Sequence, residues 1–288
     1  MPTPTVVMKF GGTTMQGQLK FGPNEEALLE ECLRQTSVRE MYQLLAQRRT
    51  MARAQRLREL ARKFVIPAIT EQSVPVVVVS AFDWATDKLD QFAAAVSSHP
   101  APREYARLLM SGEQRANSAL AMTLEDLGIP ARSLTGREAG IVTTKQPTKA
   151  LVERVETDYI QSLVDRHIVP VVAGFQGYYH DDAEGRNEVS ILGRGGSNLT
   201  AVALAHYLGL TECTMFTDVD GIYDKDPNNY PDARKLDEVT AQELFTWERF
   251  PQVIQDEAVR FAMKQGVDIW IRDGNDPSRP GSLIRCRS

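Results

Sequence analysis

Three cysteines in 288 residues (Cys32, Cys213 and Cys286) are too few and too scattered for a disulfide framework or a zinc motif. They read as free thiols of a reducing cytosol. The four histidines, His99, His167, His180 and His206, are equally dispersed, which argues against a built-in transition-metal cage. No metal-ligating residues are assigned, and any metal is expected to arrive with a nucleotide. No apolar run nears the length of a bilayer span, residues 75–82 being far too short, and Met1 opens no secretory leader pattern. Positive charge is not in excess either. With 33 Lys and Arg against 38 Asp and Glu the net charge is −5, so neither nucleic acid nor an anionic membrane is expected as a partner. What is present is the composition of an ordinary soluble globular protein, 42% hydrophobic and 25% charged, in a length that suits one large α/β domain or two small ones.

The apolar pattern alternates between two periods. Short β-branched runs predict buried strands at 6–9, 75–80, 131–134, 169–173, 214–217 and 268–272. Between them, helical spacing predicts helices at 86–97, 103–127, 148–166, 197–208, 237–247 and 257–265. Residues 24–68 carry leucines at helical spacing (Leu28, Leu29, Leu33, Leu44, Leu45, Leu57, Leu60) and predict at least two helices broken near Thr36–Ser37. The Arg- and Lys-rich stretch 48–63 reads as a solvated helix face. Strands alternating with helices imply a three-layer αβα sandwich around a mainly parallel sheet. No repeat or linker divides the chain, so residues 1–288 read as a single domain.

Four glycine-containing loops sit beside predicted strands or helices. In Lys9-Phe10-Gly11-Gly12-Thr13-Thr14 a lysine at a strand end stands beside paired glycines, so that N–H groups can approach phosphate oxygens while the ammonium neutralises charge. A glycine turn with a surface lysine reads equally well there. In Gly193-Arg194-Gly195-Gly196-Ser197-Asn198, glycines, an arginine and a helix start converge, which suits an anion held by N–H groups and a guanidinium fork, or reads as a plain glycine-rich helix cap. Thr217-Asp218-Val219-Asp220-Gly221-Ile222-Tyr223, running on to Lys225, Asp226 and Pro227, offers acidic and aromatic groups for a ribose and an adenine, or a plain acidic turn. Ser111-Gly112-Glu113 heads an alanine-rich helix, where Glu113 is either a first-turn carboxylate or a grip for an ammonium.

In this order the segments resemble the catalytic domain of aspartate kinase, in the amino acid kinase superfamily. The family's lysine-phenylalanine-glycine-glycine-threonine-serine opening matches residues 9–14, with Thr14 for serine. Its valine-rich strand ending in serine-alanine, with a threonine-aspartate soon after, matches 76–81 and Thr86-Asp87. Its serine-glycine-glutamate is 111–113, its glycine-rich arginine loop 192–198, its threonine-aspartate-valine-aspartate-glycine-isoleucine-tyrosine segment 217–227, and its closing glycine-threonine resembles Gly281-Ser282. The resemblance implies an amino acid kinase-like fold with an acceptor lobe over about 1–190 and a nucleotide lobe over about 191–288. It implies transfer of phosphate from MgATP to the side-chain carboxylate of aspartate, in a cytoplasmic homodimer, with the helical segment 24–68 as a candidate dimer face. Lys9, Arg194 and Glu113 are the implied catalytic residues. Lys9, Gly11, Gly12, Thr13, Thr14, Gly195, Gly196, Ser197, Thr217, Asp218, Tyr223, Lys225 and Asp226 are implied for the nucleotide, and Ser80, Thr86, Glu113, Arg194 and Asn198 for the acceptor.

The pattern also breaks. Asn198 stands for the family's aspartate, Asn228 for an arginine, and Trp84 for a small residue. The family's glycine-alanine-lysine-valine-leucine-histidine block falls near 250–256, where this chain has neither the lysine nor the histidine. Lys225 and Arg249 are candidates to restore the charge. The ACT domains of typical aspartate kinases are not found in these 288 residues, so feedback through them is not expected within this chain. Three readings therefore stand: an aspartate kinase, a kinase of the same fold for another amino acid or small carboxylate or hydroxyl compound, and a nucleotide- or amino-acid-binding protein with weak kinase activity.

Overall fold

Consecutive β-branched residues have two faces to bury, which favours inner strands of a parallel sheet covered on both sides. β1 (Thr5–Phe10) and β2 (Val74–Val79) are such strands: Val76, Val77, Val78 and Val79 are all fully buried. They pair in parallel, from Thr5 opposite Val74 to Phe10 opposite Val79. The computed structural model describes residues 5–16, 38–71, 73–82, 85–227, 229–247 and 253–287. The expectations placed on residues 24–37 (the three leucines, Cys32 and the break at Thr36–Ser37), on Trp84, Asn228 and Arg249, and on residues 250–252 lie outside the described residues.

Among the described residues between β1 and β2 are a single helical turn, α1 (Gly12–Met15), and the long helix α2 (Val38–Leu60), which runs on into a wider π-type turn over Ala61–Val65. Then come α3 (Ala85–Val96), α4 (Pro102–Asp126), β3 (Ala131–Leu134), β4 (Ile141–Thr143), β5 (Val152–Val155), α5 (Asp158–Asp165) and β6 (Val169–Ala173). The hairpin of β7 (Gln176–Asp181) and β8 (Arg186–Ile191) leads to α6 (Gly196–Tyr207) and β9 (Glu212–Thr217). The remaining elements are β10 (Ile222–Tyr223), β11 (Lys235–Leu236), β12 (Glu238–Thr240), α7 (Ala241–Thr246), α8 (Asp256–Gln265), β13 (Asp268–Asp273) and β14 (Ser282–Arg285).

Eight of the described strands form one sheet in the order β12-β14-β13-β9-β1-β2-β6-β3. Every neighbouring pair is parallel except β13–β14, so the expected mainly parallel α/β architecture is present. From β1 the sheet grows one way through β2, β6 and β3 and the other way through β9 and β13. That reversal leaves a crevice beyond the carboxyl ends of the central strands, where α/β sheets bind their ligands.

Two expected helices are corrected. The segment 148–166 is a strand and a short helix: Val152–Val155 pairs antiparallel with β4, and only Asp158–Asp165 is helical. Arg154 and Glu153 point outward from an edge strand, and alternation over four residues is too short to register against the helical spacing around it. The segment 237–247 likewise begins as β12, paired with β14. Its helix starts only at Ala241, where the Thr240 hydroxyl accepts from the Glu243 N–H and the Glu243 carboxylate accepts from the Thr240 N–H. β4, β5, β7 and β8 make a second, four-stranded sheet that the sequence did not signal.

Candidate active site

The ends of β1, β2, β6 and β9 open into one cleft of about 1930 Å³. A pocket for one small ligand typically holds about 300–1,000 Å³, so this cleft has room for two.

Lys9 is the penultimate residue of β1. Strand alternation sends its neighbour Phe10 to the other face, where the ring stacks on Phe216 at 5.1 Å and meets Phe64 at 5.8 Å. Lys9 itself lines the cleft with Gly11, Gly12 and Thr13. Burial pushes its pKa down to about 8, and Asp218 pulls it partly back. Thr14 is the exception within this loop. It is not on the cleft wall; its hydroxyl donates to the Phe216 carbonyl at 3.2 Å, so its side chain is spent on joining the loop to β9.

Glu113 lies in the middle of α4 and not in a first turn, because the helix already begins at Pro102. Residue 112 must be glycine for α4 to approach this closely, since a Cβ there would stand 2.9 Å from that of Ala81. The close approach lets Glu113 Oε1 accept from the Ala81 N–H at 3.2 Å, while Oε2 is buried without a partner among the described residues. Burial raises its pKa to about 7, opposed by its backbone hydrogen bonds. A buried carboxylate oxygen with nothing to accept is a costly arrangement unless a ligand supplies a donor. Ser80 follows β2, Thr86 sits in the first turn of α3, and both line the same cleft.

The arginine loop closes the cleft from β8 and α6. Gly195 adopts φ 74°, a left-handed conformation that favours glycine. Arg194 lies at the mouth, its side chain 90% exposed and its guanidinium 3.8 Å from Asp87 on α3. Asn198 is buried, with Nδ2 donating to Gln255 Oε1 at 2.6 Å and Oδ1 unpartnered among the described residues. A Cβ at position 195 would meet the Gln255 side chain at 2.1 Å, so Gln255 lies directly across the loop.

Thr217, Asp218, Tyr223, Lys225 and Asp226 line the same cleft, as do Gly195, Gly196 and Ser197. Thr217 Oγ1 donates to Asp218, and the Tyr223 hydroxyl donates to Asp220 at 2.9 Å. Lys225, considered as a substitute cation, donates to Asp232 at 2.6 Å. The structure thus brings every expected site residue except Thr14 to one cleft.

Sequence reading missed three of its walls. Gln255 fell in a block noticed only for the charges it lacks. Asp87 was quoted with Thr86 but given no role. Lys149 lines the cleft beside Gly193 with φ 54°, a conformation that nothing in a lysine announces. Among the described residues no cluster of three or more His, Cys, Asp or Glu groups could hold a metal ion, and no helix is long and apolar enough to cross a membrane.

The chain is similar to the aspartokinase of Mycobacterium tuberculosis (strain ATCC 25618 / H37Rv), 38% identical over 236 residues, or 82% of this chain. The match takes in 55% of that relative, so the chain spans about half the length of the curated relatives it matches. Among solved structures, an aspartate kinase from Synechocystis superposes with a TM-score of 0.73 at 29% identity, covering 97% of this chain and 40% of that one. E. coli aspartokinase III, solved with aspartate and ADP, shares the fold with a TM-score of 0.68 at 19% identity, over 99% of this chain and 65% of that one. Residues 4–273 match the model of the amino acid kinase family, and with a switch-point cleft built on the expected loops, the chain belongs to that family.

Proposed function

We propose that this chain is an aspartate kinase catalytic unit that transfers the γ-phosphoryl group of ATP to the side-chain carboxylate of aspartate. One observation carries the reading: Lys9, Glu113 and Arg194, far apart in sequence, line a single cleft with room for two substrates. The similarity to aspartokinases, one of them solved with aspartate and ADP, supports the choice of substrates.

In this reading Lys9 and the N–H groups of Gly11–Thr13 meet the phosphates. The nucleoside lies along Thr217, Asp218, Tyr223, Lys225 and Asp226, with Gly195, Gly196 and Ser197 at the phosphate end. Arg194 takes the α-carboxylate, Glu113 Oε2 accepts from the ammonium, and Ser80, Thr86 and Asn198 complete the acceptor pocket. A carboxylate oxygen attacks the γ-phosphorus, the bond to the bridging oxygen breaks, and ADP leaves with that electron pair. The acceptor is already ionised at neutral pH, so no general base is required. The protein's task is to align two anions and offset their repulsion. Mg²⁺ would enter on the phosphates, where it neutralises charge, with Asp218 as the carboxylate at hand. Residues up to about 190 would form the acceptor lobe and the rest the nucleotide lobe. A cytoplasmic homodimer, with residues 24–68 at its face, completes the proposal; a monomer by light scattering would overturn the dimer.

The test is a hydroxamate assay with ATP, Mg²⁺ and a panel of amino acids, with ADP release followed in parallel. Aspartate-dependent signal in both is expected. A second reading, a kinase for a different acceptor, is favoured by the neutral Asn198–Gln255 pair at a position where the resemblance leads one to expect charge. Signal with another acid alone, or ADP release without hydroxamate, would establish it. Nucleotide binding without turnover on any acceptor would sink both.

A further inference from the structure

The basic stretch 48–63 is not uniformly solvated. Arg56, on α2, is only 7% exposed, although neighbours such as Arg58 face water. A guanidinium is costly to bury unless its N–H groups find acceptors. Arg56 finds them in two loops that frame the cleft. Nε donates to the Thr14 carbonyl at 2.7 Å, and Nη2 donates to the Gly274 carbonyl at 2.7 Å and to Asn275 Oδ1 at 2.9 Å. Only Nη1 meets an acid, Glu59, at 3.3 Å.

These acceptors are not random core oxygens. Thr14 ends the lysine loop, and its carbonyl has no further helical turn to bond with, because α1 stops at Met15. Gly274 donates its N–H to the Thr217 carbonyl at 2.7 Å, at the end of β9 where the nucleotide wall begins. Arg56 is absent from the cleft lining, so it approaches the lysine loop from behind. From Asn275 the bonding continues outward: its N–H donates to Asp273 at 2.7 Å, Arg279 lies 3.5 Å from Asp273 and 3.8 Å from Asp220, and Asp220 accepts from Tyr223. Lys63, about two helical turns further on, donates to the Asn275 carbonyl at 3.1 Å.

We infer that Arg56 is a positioning residue for the nucleotide: a buried fork that fixes the lysine loop and the Thr217 wall in mutual register, and so sets where the phosphates sit relative to Lys9. The inference rests on the kinase reading and adds to it a residue that touches no substrate. A planar fork suits the task, since three acceptors in fixed directions hold a geometry that a lysine ammonium or an apolar side chain would not.

The test compares wild type with Arg56→Lys, Arg56→Ala and Asn275→Ala. Its readouts are ADP affinity, the KM values for ATP and acceptor, and melting temperature. Arg56→Ala should raise the KM for ATP and the Kd for ADP by on the order of tenfold or more, while the acceptor KM stays within about twofold. Arg56→Lys should fall between, Asn275→Ala should show a smaller rise of the same kind, and millimolar guanidinium should partly restore Arg56→Ala. Should Arg56→Ala not fold, Arg56→Lys and Asn275→Ala decide alone. ADP affinity equal to wild type in those folded variants, with only the melting temperature lowered, would overturn the inference and leave the kinase reading intact. A wild-type protein that binds no ADP would remove both.

Discussion

The lysine loop and the arginine loop face the same cleft and are held in opposite ways. The first is bonded from behind on every side: Met15 to Gly11, Thr14 to Phe216, and Arg56 to Thr14. Its lysine is partly buried in the cleft wall, and desolvation lowers its pKa to about 8. The second carries its cation out at the mouth, 90% exposed, with a partner 3.8 Å away across the gap. An ion pair this exposed contributes about 0–1 kcal/mol, so little binds Arg194 to its present place. The difference suits two substrates handled differently, with phosphates received at a preset cradle and the acceptor carboxylate captured by an arm that can swing onto it.

Removing the preset cation should have the largest effect. Lys9→Ala is expected to lower kcat by at least about 10²–10³-fold with the fold intact by circular dichroism. Wild-type turnover in that variant would show that the cradle is not where phosphate transfer occurs.

Arg194→Ala should mainly raise the acceptor KM, by about 10–100-fold for the loss of a charge-assisted fork. Its kcat should change far less, and its melting temperature should match wild type because the side chain is solvated. A fall in kcat with unchanged KM would reverse the assignment of the two loops.

A pH profile sharpens the contrast. Capture of an ammonium requires ionised Glu113, whose pKa is raised to about 7, and phosphate contact requires protonated Lys9, at about 8. For the free enzyme, kcat/KM should rise as pH passes about 7 and fall as it passes about 8. Glu113→Gln should abolish the acidic limb and keep the alkaline one. Stability runs the opposite way: a raised carboxyl pKa favours the folded state fully below the usual 4.5, and that advantage is lost as pH rises through about 7. Unliganded Glu113→Gln should therefore lose less stability between pH 5 and 8 than wild type.

The smallest effect is expected from Asp87→Asn, which breaks the exposed pair. The acceptor KM should move by no more than about fivefold, the span of a surface ion pair. A larger change would mean that Asp87 aims Arg194 and does not merely lie near it.

Much of this was legible beforehand because the chemistry is carried by short contiguous loops. The glycine pair after β1, the glycine-rich entry to α6 and the acidic turn after β9 each announce a strand end or helix start within a few residues, and each lies where it was expected. The second sheet was not legible. β5 is four residues long and β4 three, too few for a period to emerge, and their identity as strands depends on partners more distant in the chain. Nor could Gln255 or Arg56 be picked out, since a glutamine before a helix and an arginine among arginines look like ordinary surface. The basic stretch was expected to be solvated, and Arg56 departs from that because its acceptors come from residues 14, 274 and 275.

Local sequence by itself determined the runs that must be buried, the loops that can approach an anion, and the charge types available to them, because backbone freedom and hydration are properties of neighbouring residues. Tertiary structure alone decided that Lys9, Glu113 and Arg194 line one cleft, that one cation is desolvated and the other exposed, and that Glu113 Oε2 and Asn198 Oδ1 have no donor among the described residues. Those outcomes depend on dielectric and on contacts between segments up to about two hundred residues apart, distances over which a linear pattern carries no geometry.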